Sequence, residues 1–144
     1  MARMPAGYST RSLPDKLGIK PGFRIALVGA PKGYDAILVP LPPGVVRAKT
    51  VRGPLDLIQV FATSVGELAR RFPTLKRALA IDGALWVSWP KRASGVVTDL
   101  GDGPVREIGL AHGLVDIKVC AVDEVWSGLE FVYRLADRKK ATRN

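Results

Sequence analysis

Three stretches of this chain are mostly apolar at successive positions rather than alternate ones: residues 24–29, 56–62 and 84–90. Strands buried on both faces have that pattern, and they belong inside parallel sheets. The third stretch, Ala84-Leu85-Trp86-Val87-Ser88-Trp89-Pro90, is the most informative. It follows a segment rich in Leu and Arg and a glycine, Gly83, read as a turn, and it opens into Lys91 and small polar residues. Open α/β sheets bind ligands outside the carboxyl ends of their strands. A site is therefore expected just beyond Trp89.

The segments between these strands carry their own punctuation. Pro14 suits the first turn of a short helix over 13–17 that starts near Ser12. Residues 34–39 provide one or two helical turns before Pro40, Pro42, Pro43 and Gly44 stop them. Residues 45–51 read as a short strand near a sheet edge, with Arg47 and Lys49 on one side. Ser64, followed three positions later by Glu67, is a capping-box signature for a helix that begins at Val65. Pro73 predicts that this helix ends near Phe72 and that a second one carries Leu75 and Leu79 inward. Residues 91–103 form a polar loop, long for a compact domain. Residues 104–111 are read as a helix that Gly113 stops. The stretches 115–122 and 128–134 have strand character, and the short link between them predicts an antiparallel pair.

Composition narrows the class. A chain of 144 residues, 47% hydrophobic and 24% charged, forms one domain able to bury a core without cross-links. That domain is expected over residues 13–136, with a flexible arm at 1–12 and a basic disordered tail at 137–144. Cys120 is the single cysteine and His112 the single histidine, so neither a disulfide nor a metal-ligand spacing exists. Cys120 reads as a small core residue and His112 as a helix end. The lone cysteine fits a reducing compartment, and neither a membrane span nor the apolar core of a signal peptide is present. A cytoplasmic location with no membrane partner is the expectation.

The formal charge of +9, from 22 Lys and Arg against 13 Asp and Glu, favours anionic partners. The cations are spread along the chain: Arg3, Arg11, Lys16 and Lys20 early, then Arg70, Arg71, Lys76 and Arg77, then Arg138, Lys139, Lys140 and Arg143. A nucleic-acid module interleaves aromatics with its cations, and aromatics are only 7% here. Nucleic acid is accordingly kept as an alternative partner and not the first.

The element order resembles a class I methyltransferase domain at three places. Leu17-Gly18-Ile19-Lys20-Pro21-Gly22-Phe23-Arg24-Ile25 is similar to the lead-in to that family's first strand. Residues 73–90 resemble its helix, glycine turn and fifth strand, and the closing strand pair resembles its reversed last hairpin. The resemblance implies a single Rossmann-like three-layer α/β domain, with a mostly parallel sheet and an antiparallel C-terminal strand. The domain is shortened, because one strand–helix unit between residues 51 and 56 has no counterpart. From Tyr8 to about Arg134 the chain also resembles a family of small bacterial proteins known only as a domain of unknown function. Lys91-Arg92-Ala93-Ser94-Gly95 and Val119-Cys120-Ala121-Val122-Asp123-Glu124-Val125-Trp126-Ser127-Gly128 carry that second likeness, which implies no activity.

The methyltransferase likeness would imply S-adenosylmethionine as cofactor, yet the matching residues depart from the pattern. The family ends its first strand in an acidic residue and continues into a glycine-rich turn. Leu27 and Gly29-Ala30-Pro31-Lys32-Gly33 stand there instead. Leu27 offers no carboxylate, and Pro31 has no N–H and a fixed φ. The family's second strand ends in an acidic residue that holds ribose hydroxyls, whereas Arg47, Lys49 and Arg52 here suit a phosphate. S-adenosylmethionine-dependent activity is not expected, and no cofactor is assigned.

Thr63 and Ser64, at a helix N-terminus with free N–H groups, and Trp89, Lys91 and Ser94, at the end of the central strand, are the residues expected to bind an anionic small molecule. Asp123 and Trp126 in the hairpin connection are additional candidates, Asp123 as a general base or as a cap on backbone N–H groups. No catalytic residue is assigned. The function these residues support is a noncatalytic or cryptic ligand-binding domain derived from a methyltransferase-like fold. The alternatives are a divergent transferase with a nucleotide or phosphate-bearing cofactor, and an interaction protein for nucleic acid or an acidic partner.

Overall fold

A computed structural model describes residues 11–142. The elements in chain order are α1 (Leu13–Leu17), β1 (Arg24–Val28), α2 (Tyr34–Ile37), β2 (Val46–Arg47), β3 (Leu55–Phe61) and α3 (Val65–Ala78). They continue with β4 (Leu79–Pro90), α4 (Asp102–Ala111), β5 (Leu114–Ala121), β6 (Trp126–Tyr133) and α5 (Leu135–Thr142). All six strands join one sheet in the order β2-β1-β3-β4-β6-β5. The first four are parallel, and β6 runs antiparallel to both β4 and β5.

The pattern of burial explains the order. Every residue from Leu57 to Phe61 is buried, as a strand covered on both faces requires. Ile58, Val60, Leu85, Val87, Leu129 and Phe131 pack beneath α3 and α4 against Leu68, Phe72, Leu75 and Val105. On the opposite face Ile25, Leu57, Phe61 and Trp86 pack against Leu17 of α1 and Tyr34 and Leu38 of α2. Trp86 also donates its indole N–H to the Leu17 carbonyl at 2.8 Å, so its one polar group is satisfied inside the core. The two faces with their helices give the three layers of a Rossmann-like domain, as the resemblance implies.

Four expectations are corrected. Pro73 does not divide the helix: α3 runs unbroken from Val65 to Ala78. Proline in a helix interior costs about 3 kcal/mol, but Leu68, Phe72 and Leu75 are buried on one stripe of α3. Each is worth about 1.5–3 kcal/mol, which outweighs the missing bond. Gly83 is not a turn either. It lies inside β4, where the pairing with β3 jumps from Leu55↔Leu79 to Leu57↔Ala84. A Cβ there would stand 2.9 Å from the Asp56 carbonyl oxygen, so glycine serves a close backbone approach.

Residues 135–142 form α5 where a disordered tail is expected. Asp137 in its first turn suits the helix dipole, and the Arg134 Nε pairs with the Asp137 carboxylate at 3.2 Å. At the other end, Ser12 caps α1 and Arg11 is tied to its first turn, where a flexible arm is expected. Ser12 Oγ accepts from the Asp15 N–H at 3.3 Å, and Arg11 pairs with Asp15 at 2.8 Å. The rest of the arm, with Arg3, and the end of the tail, with Arg143, lie outside the described residues. Among the described residues no helix is long and apolar enough to cross a membrane.

Candidate functional site

The carboxyl ends of β3 and β4 meet the start of α3 and the loop 91–101, as expected, but the contacts there differ from a ready anion site. Ser64 caps α3, its Oγ accepting the Glu67 N–H at 3.1 Å. The next N–H, of Val65, donates to the carboxylate of Asp99 at 2.8 Å, and the Thr98 hydroxyl donates to the Thr63 carbonyl at 2.5 Å. The anion at this helix terminus is thus the chain's own Asp99. Lys91 donates from Nζ to the Asp123 carbonyl at 2.6 Å. Ser94 donates to the Lys91 carbonyl at 2.6 Å and accepts from the Val96 N–H at 3.2 Å.

Asp123 acts as a cap on backbone N–H groups. One carboxylate oxygen accepts from Val125 at 2.8 Å and from Trp126 at 2.7 Å. Trp126 belongs to the α1/α2 face, edge-on to Phe61 with centroids 5.1 Å apart. Trp89 belongs to the α3/α4 face and is 5% exposed. The sequence-predicted residues are therefore divided between the two sides of the sheet, and Lys91, Ser94 and Asp123 hold the loops in place.

Beside Trp89 the structure opens a cavity of about 1050 Å³ over the ends of β4, β5 and β6. The loop 95–101 and the first turn of α4 line it, with Arg92, Val119 and Ser127. Its two acids face backbone amides: Asp99 accepts from Val65, and Asp102 from Gly103 at 3.0 Å. Arg92 is exposed, and among the described residues no hydrogen bond or ion pair engages its guanidinium. The cavity thus offers one uncommitted cation, the edge of Trp89 and the apolar wall of Val119.

Sequence reasoning missed Arg92 and Val119. Arg92 follows Lys91 in the long polar loop and could have been drawn in with it. Val119 could not: a bulge at Ile117 breaks the alternation of β5, with Asp116 opposite Phe131 but Lys118 opposite Glu130. That slip turns Val119 toward the cavity. No group of His, Cys, Asp and Glu among the described residues could hold a metal ion. Cys120 is buried, and burial pushes its thiol pKa up, which keeps it a neutral core residue. His112 caps the end of α4 and stacks on Phe72 with centroids 4.7 Å apart.

The α1/α2 face is filled beside the end of β1, the strand whose following turn approaches the cofactor in the resembling family. Tyr34 is 3% exposed and packs edge-on against Phe61 at 4.8 Å. Its hydroxyl donates to Gln59 Oε1 at 2.6 Å, and Gln59 Nε2 donates to Ser88 Oγ at 3.1 Å. Burial raises the phenol pKa far above its ordinary value, so Tyr34 stays neutral. A Cβ on Gly29 would stand 3.0 Å from the Phe61 carbonyl oxygen, so the turn after β1 passes close to the end of β3. At the end of β2, Arg47 is paired with Asp35 at 2.7 Å. With Leu27 half-buried in this core and Pro31 in the turn, the residues do not fit S-adenosylmethionine.

No family model matches this sequence, and no curated protein matches it. Solved structures do match in fold. A SAM-dependent methyltransferase from Aquifex aeolicus superposes with a TM-score of 0.57 at 14% identity, over 81% of this chain and 85% of that one. Magnesium protoporphyrin IX methyltransferase from Synechocystis, solved with bound SAH, gives 0.57 at 12% identity over 79% and 75%. Aeropyrum pernix fibrillarin, in complex with natively bound S-adenosyl-L-methionine, gives 0.55 at 12% over 79% and 68%. These likenesses establish a methyltransferase-like Rossmann fold for this chain.

Proposed function

We propose that this chain is a ligand-binding domain on a methyltransferase-like scaffold, and that it takes an anionic small molecule in the cavity beside Trp89. The observation that carries this reading is the uncommitted guanidinium of Arg92 at a cavity of about 1050 Å³ outside the strand ends. Such clefts, with an apolar wall and a few polar groups, are where α/β domains bind ligands. The cofactor crevice, by contrast, is occupied by Tyr34, Gln59 and Ser88.

The test is a thermal-shift screen of carboxylates, phosphates and nucleotides, with hits remeasured by calorimetry. A charge-assisted hydrogen bond is worth about 1.5–3 kcal/mol, so Arg92→Ala should weaken binding roughly ten- to hundredfold. Melting should barely change, because the side chain is exposed. A hit that binds Arg92→Ala as well as wild type places the site elsewhere. Titration with millimolar S-adenosylmethionine should give no saturable heat; a low-micromolar dissociation constant would refute the filled crevice.

A further inference from the structure

We propose that a groove between α3 and the β2–β3 connection docks an acidic, amphipathic segment of a partner protein. The groove holds about 310 Å³, with Val28, Val51 and Leu75 as its floor and Arg70, Arg71 and Thr74 along its wall. It lies where the α3/α4 face of the sheet is left uncovered. The connection from β2 to β3 contains no helix, so Val28, Ala48 and Val51 are only partly buried against the core. Val46 on the edge strand is 52% exposed.

Charge selects the occupant. Residues 46–78 hold seven Lys and Arg against two acids, Asp56 and Glu67, so much of the chain's positive excess gathers at this edge. Asp56 is committed to the Arg24 N–H at 2.8 Å, and Glu67 meets Arg71 only at 3.6 Å. Arg77 reaches Thr74 Oγ1 at 3.3 Å, so it stands at the same wall. Arg52 adjoins Val51 in the sequence. An apolar floor under arginines fits a protein segment that inserts one or two apolar side chains and sets carboxylates against Arg70 and Arg71. Nucleic acid fits less well, because no aromatic side chain lines the groove to stack a base.

The experiment selects random dodecapeptides displayed on phage against the whole protein, with counter-selection on Arg70→Glu/Arg71→Glu. A second variant, Thr74→Trp, fills the groove and leaves the charges in place; all changed positions are exposed. Selected peptides should share an apolar residue flanked by Asp or Glu. Their affinity should fall at least tenfold in either variant and decline with added salt, while melting stays near wild type. The proposal is overturned if no selected peptide depends on the groove, or if the selected peptides lack acidic residues. It is equally overturned if a single-stranded 20-mer DNA displaces them and loses its own binding in the same two variants.

Discussion

Replacing Gln59 by leucine tests whether the crevice at the ends of β1 and β3 is dry. Gln59 and Ser88 are 0% exposed and Tyr34 is 3% exposed, so the chain Tyr34–Gln59–Ser88 exchanges no bond with water. Gln59→Leu keeps the volume nearly constant but strands the Tyr34 hydroxyl and the Ser88 Oγ together. A buried polar group without a partner costs about 1–3 kcal/mol. The pair therefore costs about 2–6 kcal/mol, from which the extra apolar burial of leucine returns about 1. A net loss near 3 kcal/mol lowers the melting temperature of a domain this size by about 10 °C. Tyr34→Phe/Gln59→Leu/Ser88→Ala leaves nothing stranded and should recover most of that loss, since replacing all partners by apolar groups is nearly neutral. Urea unfolding followed by tryptophan fluorescence gives all the values. If Gln59→Leu costs less than about 0.5 kcal/mol, water reaches these groups. The crevice is then open, and the exclusion of S-adenosylmethionine loses its physical basis.

Two further substitutions probe the packing. Gly109→Ala should destabilise by about 2 kcal/mol in thermal unfolding, although alanine in a helix normally gains about 1 kcal/mol over glycine. A Cβ there would overlap the Phe131 ring, and a stabilised variant would mean that α4 sits farther from β6. Burial raises the pKa of Glu130, opposed in part by Lys118, so the folded state holds this proton more tightly than the unfolded chain. Its ionised form then weakens the fold above the folded pKa, and the penalty disappears below the ordinary carboxylate value of about 4.3. Glu130→Gln should accordingly melt higher than wild type at pH 7 and converge with it near pH 4. A difference constant with pH would refute the burial as its cause.

The layers and most elements were legible because the relevant signals are local. Ser12 with Pro14, Ser64 with Glu67, and the apolar runs at 24–29 and 56–62 each fix an element without help from afar. Pro73 and Gly83 misled because long-range packing decides both: the stripe Leu68, Phe72 and Leu75 on one side, and the Asp56 carbonyl on the other. At the strand ends the sequence did not disclose the contacts that its polar residues make. Nothing near Val65 in the sequence announces that Asp99, 34 residues away, caps its N–H. Lys91, in the same way, spends its charge on a carbonyl that only the folded hairpin presents.

The tether between Asp99 and the start of α3 gives the helix a second duty. Thr98 and Asp99 fasten the cavity-lining loop to Thr63 and Val65, while Arg70, Arg71, Thr74 and Leu75 of the same helix border the edge groove. The five steps from Val65 to Arg70 rise only about 7.5 Å along the helix axis, so the two sites share one short stretch of α3. If each site has an occupant and α3 couples them, whatever one does to the affinity of the other is returned in equal measure.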